Sequence, residues 1–479
     1  MISDDLGGKI RQNLTYSPTF EQKKTIELWC EFLFSRADNE IFLLRGYAGT
    51  GKSSLVGALV QTLVQLKQNV VLLAPTGRAA KVMSLYAHTP AYTIHKRIYR
   101  QKSFADLDCF QANVNLKSHT LFIVDEASMI ANEGLSGSVF GNGRLLDDLV
   151  HFVYSAQGCR LMLIGDTAQL PPVGEEESPA LQPAMLQGYG MNVIMAELTQ
   201  VVRQAGDSGI LWNATRLRRL MNEDLVYDLP QIRLEGFPDI RSIPGNELIE
   251  ALEESYYHCG TDQTIVITRS NRRAVQFNLG IRGRILGYEE ELSGNDLLMV
   301  SKNNYYWCKD EKEIPFIANG DVAIVRRFRN ERELYGFRFA DVTLQFPDYN
   351  DLELDVTALL DTLQSDSPSL CRQDQERLFQ CVWDDYPEIT NKQERAKKVK
   401  EDIFYNALQI KYAYAVTCHK AQGGQWQHVF IDQGYITEDM LTPDYFRWLY
   451  TAFTRATEKI FLINWPDSQV LPPEAENPF

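Results

Sequence analysis

The 479-residue sequence contains no apolar run near the roughly 20 residues that a membrane-spanning helix requires. Its first residues, MISDDLGGKI, include acids where a secretory signal would carry cations followed by an apolar stretch. Eight cysteines are scattered without a C-x-x-C pair, which argues against a zinc site or a disulfide framework. These absences predict a multidomain globular protein in the cytoplasm, with no membrane partner.

Acidic residues are missing from one long stretch. Residues 41–105 contain no Asp or Glu but nine Lys and Arg residues, although the whole chain has a formal net charge of −15. Residues 269–287 and 403–431 are also free of acids, whereas residues 339–371 contain seven acids and no cation. This segregation suits a local track for an anionic partner such as a nucleic acid. Solvated surface charge with chance gaps is the alternative interpretation.

Short apolar runs alternate with longer helical patterns, which is typical of parallel sheets flanked by helices. The runs form two series and predict two α/β sheets, with strands at 41–44, 70–74, 121–124, 161–164 and 193–195, then at 264–268, 413–416, 429–431 and 460–463. Residues 297–409 interrupt the second series. Their first part alternates like the antiparallel strands of a small β-barrel, and residues 373–406 are helical in pattern.

The segment GYAGTGKSSL at 46–55 follows the apolar run 41–44 and has the spacing Gly46-x-x-x-x-Gly51-Lys52-Ser53. Such a loop wraps backbone N–H groups around an anion at the start of a helix. Lys52 is predicted to reach the β- and γ-phosphates of a nucleoside triphosphate, and Ser53 to hold Mg²⁺. This loop occurs in many unrelated proteins, so it leaves the task of the hydrolysis open.

Two carboxylates, Asp125 and Glu126, follow the apolar strand at 121–124. Beside a phosphate-binding loop, the first can ligate Mg²⁺ through water and the second can orient or deprotonate the attacking water. A further strand leads into GDTAQLPPVG at 165–174, where the amide of Gln169 can bond both the γ-phosphate and a neighbouring domain. Together these residues predict an active NTPase.

In order along the chain, these segments and several others resemble the motifs of superfamily 1 helicases. They are Gln22 in TFEQKKTIELW, the phosphate loop, APTGRAAKVM at 74–83, TIHKRI at 93–98, VDEASM at 124–129, GDTAQLPPVG, LTQVVRQ at 198–204, YAVTCHKAQGGQW at 414–426 and YTAFTRATEKI at 450–460. The DEAS and TCHKAQG forms resemble the RecD-like and Dda-like branch, superfamily 1B. The resemblance covers residues 18–465.

The resemblance implies a role for each matching residue. Gln22 would read the adenine edge, Gln169 would couple the γ-phosphate to DNA movement, and Arg203 and Arg455 would reach the γ-phosphate from the second sheet. With Lys52 and Glu126 these are the predicted catalytic residues. The remaining nucleotide contacts would come from the loop, and the DNA contacts from both domains: Gly46, Gly49, Thr50, Gly51, Ser53 and Ser54 for ATP; Pro75, Thr76, His95, Thr417 and His419 for DNA.

The implied fold class is α/β, with two RecA-like parallel-sheet domains in tandem. The predicted first domain is 1–200 with a duplex-splitting pin at 91–118, and the second is 201–296 with 410–479. An SH3-like barrel with a helical extension would occupy 297–409.

The implied activity is an ATP- and Mg²⁺-dependent DNA helicase that moves 5′ to 3′ on single-stranded DNA, acts at junctions with duplex DNA and works as a monomer. Recombination or replication proteins are further expected partners. A helicase subunit of a helicase–nuclease complex and an ATP-driven nucleoprotein remodeller or clamp remain alternatives.

Overall fold

The computed structural model describes residues 2–103, 106–133, 141–202, 208–223, 225–226, 228–309, 311, 314, 316–437 and 440–472. The strands in these ranges are β1 (Glu40–Gly46), β2 (Asn69–Ala74), β3 (Ala91–Thr93), β4 (Tyr99–Ser103), β5 (Asp106–Ala112), β6 (Thr120–Val124), β7 (Arg160–Gly165), β8 (Asn192–Leu198), β9 (Ile240–Ile243), β10 (Thr264–Thr268), β11 (Leu297–Val300), β12 (Val322–Leu334), β13 (Phe337–Phe346), β14 (Leu352–Leu359), β15 (Leu408–Tyr412), β16 (Ala415–Thr417), β17 (Trp426–Asp432) and β18 (Ala456–Ile463).

The helices are α1 (Ile2–Gln12), α2 (Phe20–Phe34), α3 (Lys52–Gln65), α4 (Gly77–Ala87), α5 (Ile94–Ile98), α6 (Leu145–Tyr154), α7 (Pro183–Gln187), α8 (Gly209–Asn222), α9 (Leu248–Cys259), α10 (Asn271–Arg284), α11 (Arg372–Asp384), α12 (Lys392–Lys400), α13 (Cys418–Ala421) and α14 (Pro443–Phe453). Among the described residues, no helix combines the length and apolar character needed to cross a membrane.

The first sheet has six parallel strands in the order β3-β2-β6-β7-β1-β8. Its inner strands are buried on both faces, which explains why they appear in the sequence as unbroken apolar runs. Separate apolar clusters cover the two faces of the sheet. Because parallel strands end at the same edge, the loops after β1, β6 and β7 meet there.

Strands β4 and β5 form a separate antiparallel pair. The insertion predicted at 91–118 starts before these strands, because its first residues form β3 and α5, and β3 belongs to the six-stranded sheet. The part of the prediction that lies outside the six-stranded sheet is therefore the pair of strands β4 and β5.

The second sheet has five parallel strands in the order β16-β10-β17-β18-β9. Strands β11 to β15 close into a barrel, and α11 and α12 pack on one end of it against Phe337 and Phe339. The last barrel strand, Leu408–Tyr412, lies across the predicted boundary at 409/410. The barrel and the second sheet share one continuous apolar core. The predicted fold class, two tandem RecA-like sheets with an antiparallel strand pair and a barrel with helices, is confirmed.

Candidate active site and DNA-binding cleft

The phosphate loop joins the end of β1 to the start of α3. Gly51, which precedes the helix, has a φ of 81°, and a Cβ there would lie 2.7 Å from the Nε2 atom of Gln22. Only glycine fits this left-handed, crowded position. The Nζ atom of Lys52 donates to the carbonyl oxygens of Gly46 at 2.5 Å and Tyr47 at 2.8 Å. The loop and the N-terminus of the 14-residue helix therefore form an anion cradle with an ammonium group beside it.

Gln22 braces this loop from α2. Its Oε1 atom accepts a hydrogen bond from the Thr19 N–H at 3.0 Å, which completes a capping box at the start of the helix. Its Nε2 atom donates to the carbonyl oxygen of Thr50 at 3.0 Å and to the Tyr16 hydroxyl at 3.3 Å. The side chain is fully buried, and its predicted contact with adenine stays a prediction. Sequence reasoning missed Tyr16.

Asp125 directly follows β6, and both of its carboxylate oxygens are held. The Tyr86 hydroxyl of α4 donates to Oδ2 at 2.6 Å, and the Glu126 N–H donates to Oδ1 at 2.8 Å. Burial raises the pKa of Tyr86 well above 10, and the charge of Asp125 adds to this shift, so the phenol stays a donor. Tyr86 thus orients the predicted magnesium ligand. Sequence reasoning did not identify it.

Glu126 has a φ of 52°, a left-handed conformation that is uncommon for a residue with a side chain. Such strain clusters at functional sites. Although 23% of its side chain is exposed, desolvation in the cleft raises its pKa; Asp125 and Asp166 add to the rise, while Arg455 and Lys52 oppose it. A carboxylate with a raised pKa is a stronger proton acceptor, as a base for water activation requires.

Arg455 comes from the second domain, between α14 and β18, and is only 3% exposed. Its Nη1 atom lies 3.9 Å from Oε1 of Glu126. The guanidinium is held by the carbonyl oxygens of Thr451 and Gly424, at 3.2 and 3.3 Å. The structure therefore brings this predicted arginine to the predicted base across the cleft. The other predicted arginine, Arg203, lies outside the described residues.

In the loop after β7, both the backbone N–H and the backbone carbonyl of Leu170 form hydrogen bonds to the second domain. The Leu170 N–H donates to Oγ1 of Thr451 at 2.9 Å, and the Leu170 carbonyl accepts from Nε2 of Gln422 at 2.7 Å. The adjacent Gln169 is 6% exposed, and its buried Oε1 atom has no hydrogen-bond partner. An unsatisfied buried acceptor is costly and is expected to find a partner in a working state.

Tyr450 of α14 connects two loops of the first domain. Its hydroxyl donates to Oδ2 of Asp166 at 2.7 Å and accepts from the N–H of Ala48, in the phosphate loop, at 2.9 Å. All three groups lie in the cleft, and Tyr450 is 1% exposed. Neither Tyr450 nor Asp166 was predicted, although both stand inside segments that were recognised. The signal was the tyrosine at the start of YTAFTRATEKI, five residues before Arg455.

The predicted DNA-binding residues fall into two groups. Thr76, next to Pro75, caps α4 by accepting from the Ala79 N–H at 3.2 Å, and a Cβ on Gly423 would lie 3.2 Å from its Oγ1 atom. Thr76 therefore faces the α13 segment of the second domain, which carries Thr417 and the exposed His419.

His95 lies instead on α5, just before β4. Its ring is 5.7 Å from that of Tyr99 and 6.1 Å from that of Phe316, which belongs to the residues between the barrel strands β11 and β12. Burial lowers its pKa to about 4, so the imidazole is neutral.

The chemistry of these residues fits a nucleotide with a magnesium ion. The loop packs so closely on Gln22 and Tyr16 that a Cβ at Gly51 would not fit, and Ser53 offers an exposed hydroxyl at the start of α3. Asp125 offers a carboxylate, and hard oxygen donors suit Mg²⁺. The unpaired Oε1 atom of Gln169 adds an acceptor for a bound water.

Comparisons with known proteins agree with this geometry. The family described as "AAA domain" matches residues 33–226, and the family described as "UvrD-like helicase C-terminal domain" matches residues 412–463. The first match contains the phosphate loop and both carboxylates, and the second contains Thr417 and Arg455. Both matches bear out the resemblance to superfamily 1B helicases of the RecD-like branch that the motifs indicated.

Two relatives extend over most of the chain. An uncharacterised protein, R530 of Acanthamoeba polyphaga mimivirus, is 22% identical over 92% of this chain and 98% of that protein. The ATP-dependent RecD2 DNA helicase of Deinococcus radiodurans is 24% identical over 93% of this chain, which spans only half of that longer relative. Among solved structures, the Bacteroides Pif1 helicase in complex with ADP-AlF3 and single-stranded DNA has 16% identity, a TM-score of 0.48 and coverage of 96% of this chain and 95% of that chain.

Proposed function

We propose that the chain is an ATP-dependent DNA helicase that moves 5′ to 3′ on single-stranded DNA and separates duplex DNA at junctions. The observation that carries the proposal is the approach of Arg455 to Glu126 at 3.9 Å, because it joins the chemistry of the two sheets in one cleft. The match to both family descriptions and the named activity of the RecD2 relative support the same function. The polarity rests on membership of the branch.

Each residue of the cleft has a part in this proposal. The loop, Ser53 and Asp125 would hold ATP with its magnesium ion, and water would attack the γ-phosphorus as the bond to the departing ADP breaks. Glu126 accepts the proton of that water, and Arg455 provides positive charge opposite the loop. Because Arg455 comes from the other domain, the arrangement is complete only when the cleft is closed, so the reaction is coupled to a domain motion.

The link from the reaction to DNA runs through the loop that carries Gln169. Leu170 in this loop is bonded to Gln422, which follows α13 and its predicted DNA contacts, Thr417 and His419. A shift of Gln169 on loss of the γ-phosphate would therefore be passed through Leu170 to Gln422, next to the predicted DNA contacts. Hydroxyl and imidazole groups contact the sugar-phosphate backbone without reading sequence, so we expect binding to any base order.

We further propose that the protein acts as a monomer in the cytoplasm and that recombination or replication proteins are among its partners. None of the seven cysteines whose side chains the structure describes forms a disulfide, which suits a reducing compartment.

The test uses the whole chain with matched DNA and RNA duplexes that carry either a 5′ or a 3′ single-stranded tail. We expect ATP-dependent separation of the 5′-tailed DNA duplex and ATPase activity that single-stranded DNA stimulates. Lys52→Ala should abolish movement and leave binding of single-stranded DNA largely intact, because the lysine is predicted to hold the phosphates of ATP and lies in the phosphate loop, apart from the predicted DNA contacts. Unwinding confined to 3′-tailed duplexes would refute the polarity. Absence of DNA-stimulated ATPase would refute the function.

A further inference from the structure

Two lysines from different parts of the fold share one small cavity. Lys411 lies on the barrel strand β15 and is 8% exposed; its Nζ atom donates to the carbonyl oxygen of Ser365 at 2.5 Å. Lys420 lies on α13 of the second RecA-like domain, and its buried Nζ atom has no hydrogen-bond partner. Both line the cavity, together with Thr417 and Asn271. The Nζ atom of Lys420, a group with three donors, is thus left unused in a cavity whose other lining is largely apolar, including Ala274, Met299 and Leu363.

The electrostatics of this pair are unfavourable as they stand. The pKa of each lysine is lowered to about 8, mainly by burial, and the charge of Lys411 contributes to the fall for Lys420. Asp366 partly offsets this for Lys411. At neutral pH both groups are still mainly charged, so two like charges share a desolvated site. A buried charge without a partner is costly, which indicates that an anion completes the site.

The small volume of the cavity limits which part of an anion can enter it. Its volume is about 20 Å³, which is enough for one oxygen-sized group. A water molecule would fit but brings no charge, whereas a phosphoryl oxygen brings both an acceptor and negative charge. The wall contains Thr417, a predicted DNA contact, and both lysines belong to the acid-free residues 403–431.

We propose that Lys411 and Lys420 form a phosphate-binding subsite, shared by the barrel and the second RecA-like domain, that takes one backbone phosphate of the bound DNA strand beside Thr417. The proposal rests on the proposed function, since it assigns part of the DNA path. It also gives the barrel a direct role in holding DNA. The strand would be gripped where β15 leaves the barrel and β16 enters the second sheet.

The first experiment measures the affinity of the whole protein for oligo(dT) over a series of salt concentrations. Each phosphate contact contributes about −0.7 to the slope of log affinity against log salt for a single strand. Lys420→Gln should therefore flatten the slope by about 0.7. Lys411→Gln should do the same, and the double variant should lose no more than either single variant, because all three lose the same phosphate. Lys397→Gln, on the exposed face of α12, is the control for a lost charge and should leave the slope unchanged.

The second experiment places a neutral methylphosphonate at successive positions of oligo(dT). One position should weaken binding of the natural protein and have no further effect on Lys420→Gln. This pairing assigns the phosphate even if one of the two lysine variants folds poorly, because Lys411→Gln should show the same loss of sensitivity.

Three results separate the outcomes. If the natural protein fails to bind oligo(dT), the proposed function fails. If it binds but both lysine variants keep the slope of Lys397→Gln, the subsite is overturned while the function stands. Inorganic phosphate is the second probe: if its binding is lost in Lys420→Gln while the oligo(dT) slope is unchanged, the cavity belongs to a free anion and the proposal is overturned.

Discussion

Both parallel sheets end a buried strand in a carboxylate, and the two carboxylates have opposite surroundings. In the second sheet, β17 ends at Asp432, which is 4% exposed. Arg273 of the same domain donates to its two oxygens at 2.8 and 2.9 Å. In the first sheet, β6 is followed by Asp125 and Glu126, and the guanidinium of Arg455, 3.9 Å from Glu126, belongs to the other domain.

This difference separates a structural acid from a reactive one. Arg273 forms a two-pronged ion pair with Asp432, and both partners belong to one domain. Glu126 has a raised pKa because it is desolvated, and the larger of the two cationic influences that oppose the rise comes from Arg455, across the cleft. A buried strand followed by an acid can therefore give either a structural or a reactive carboxylate. The difference is whether the arginine beside it comes from the same domain, as for Asp432, or from the other domain, as for Glu126.

The largest expected effect comes from removing the partner that crosses the cleft. Arg455→Ala should lower the DNA-stimulated kcat for ATP by about 10³- to 10⁵-fold, the usual value of an arginine opposite a phosphate loop. Steady-state ATPase assays measure this. Arg447→Ala is the matched control from α14, since Arg447 bonds the carbonyl oxygen of Glu176 and the carboxylate of Asp444 away from Glu126. Equal losses of kcat in the two variants would show that the approach of Arg455 to Glu126 has no special role.

Removing the charge of the base should have the next largest effect. Glu126→Gln keeps the shape of the side chain but accepts no proton, so kcat should fall by about 10²- to 10⁴-fold while nucleotide binding persists. The natural enzyme should lose activity as the pH falls through the pKa of Glu126, which lies above the ordinary 4.5 because burial disfavours its charged form. Full strand separation by Glu126→Gln would show that another group activates the water.

A smaller effect should follow from loosening the closed cleft. Tyr450→Phe removes the hydroxyl between Asp166 and Ala48 and leaves both groups without that partner, at a cost of about 1–3 kcal/mol. This cost should appear as a loss of roughly tenfold in kcat/KM for ATP. Tyr445→Phe is the control on the same helix, because its hydroxyl donates to Gln433 within the second domain. If the two variants lose activity equally, the link across the cleft has no special role.

The sequence was informative where the chemistry is local and uninformative where distant segments meet. The phosphate loop, the acids after β6 and the barrel could be read from spacing and alternation. The bond from Tyr450 to Ala48 joins residues 402 positions apart, and the cavity of Lys411 and Lys420 depends on how the barrel packs on α13. Strands β3 and β9 have three and four residues and lie at sheet edges, so they lack the apolar run that revealed the others.

The smallest effect on catalysis is expected at the structural acid of the second sheet. Asp432→Asn breaks a charge-assisted pair and should lower stability to chemical denaturation by about 1.5–3 kcal/mol, less any part that solvent screens at the half-exposed Arg273. The ATPase kcat should stay unchanged, because Arg273 and Asp432 belong to one domain and need no closure. Denaturant unfolding and ATPase assays on the same preparations compare the two quantities. A loss of kcat with stability intact would mean that Asp432 also belongs to the coupling between the sheets.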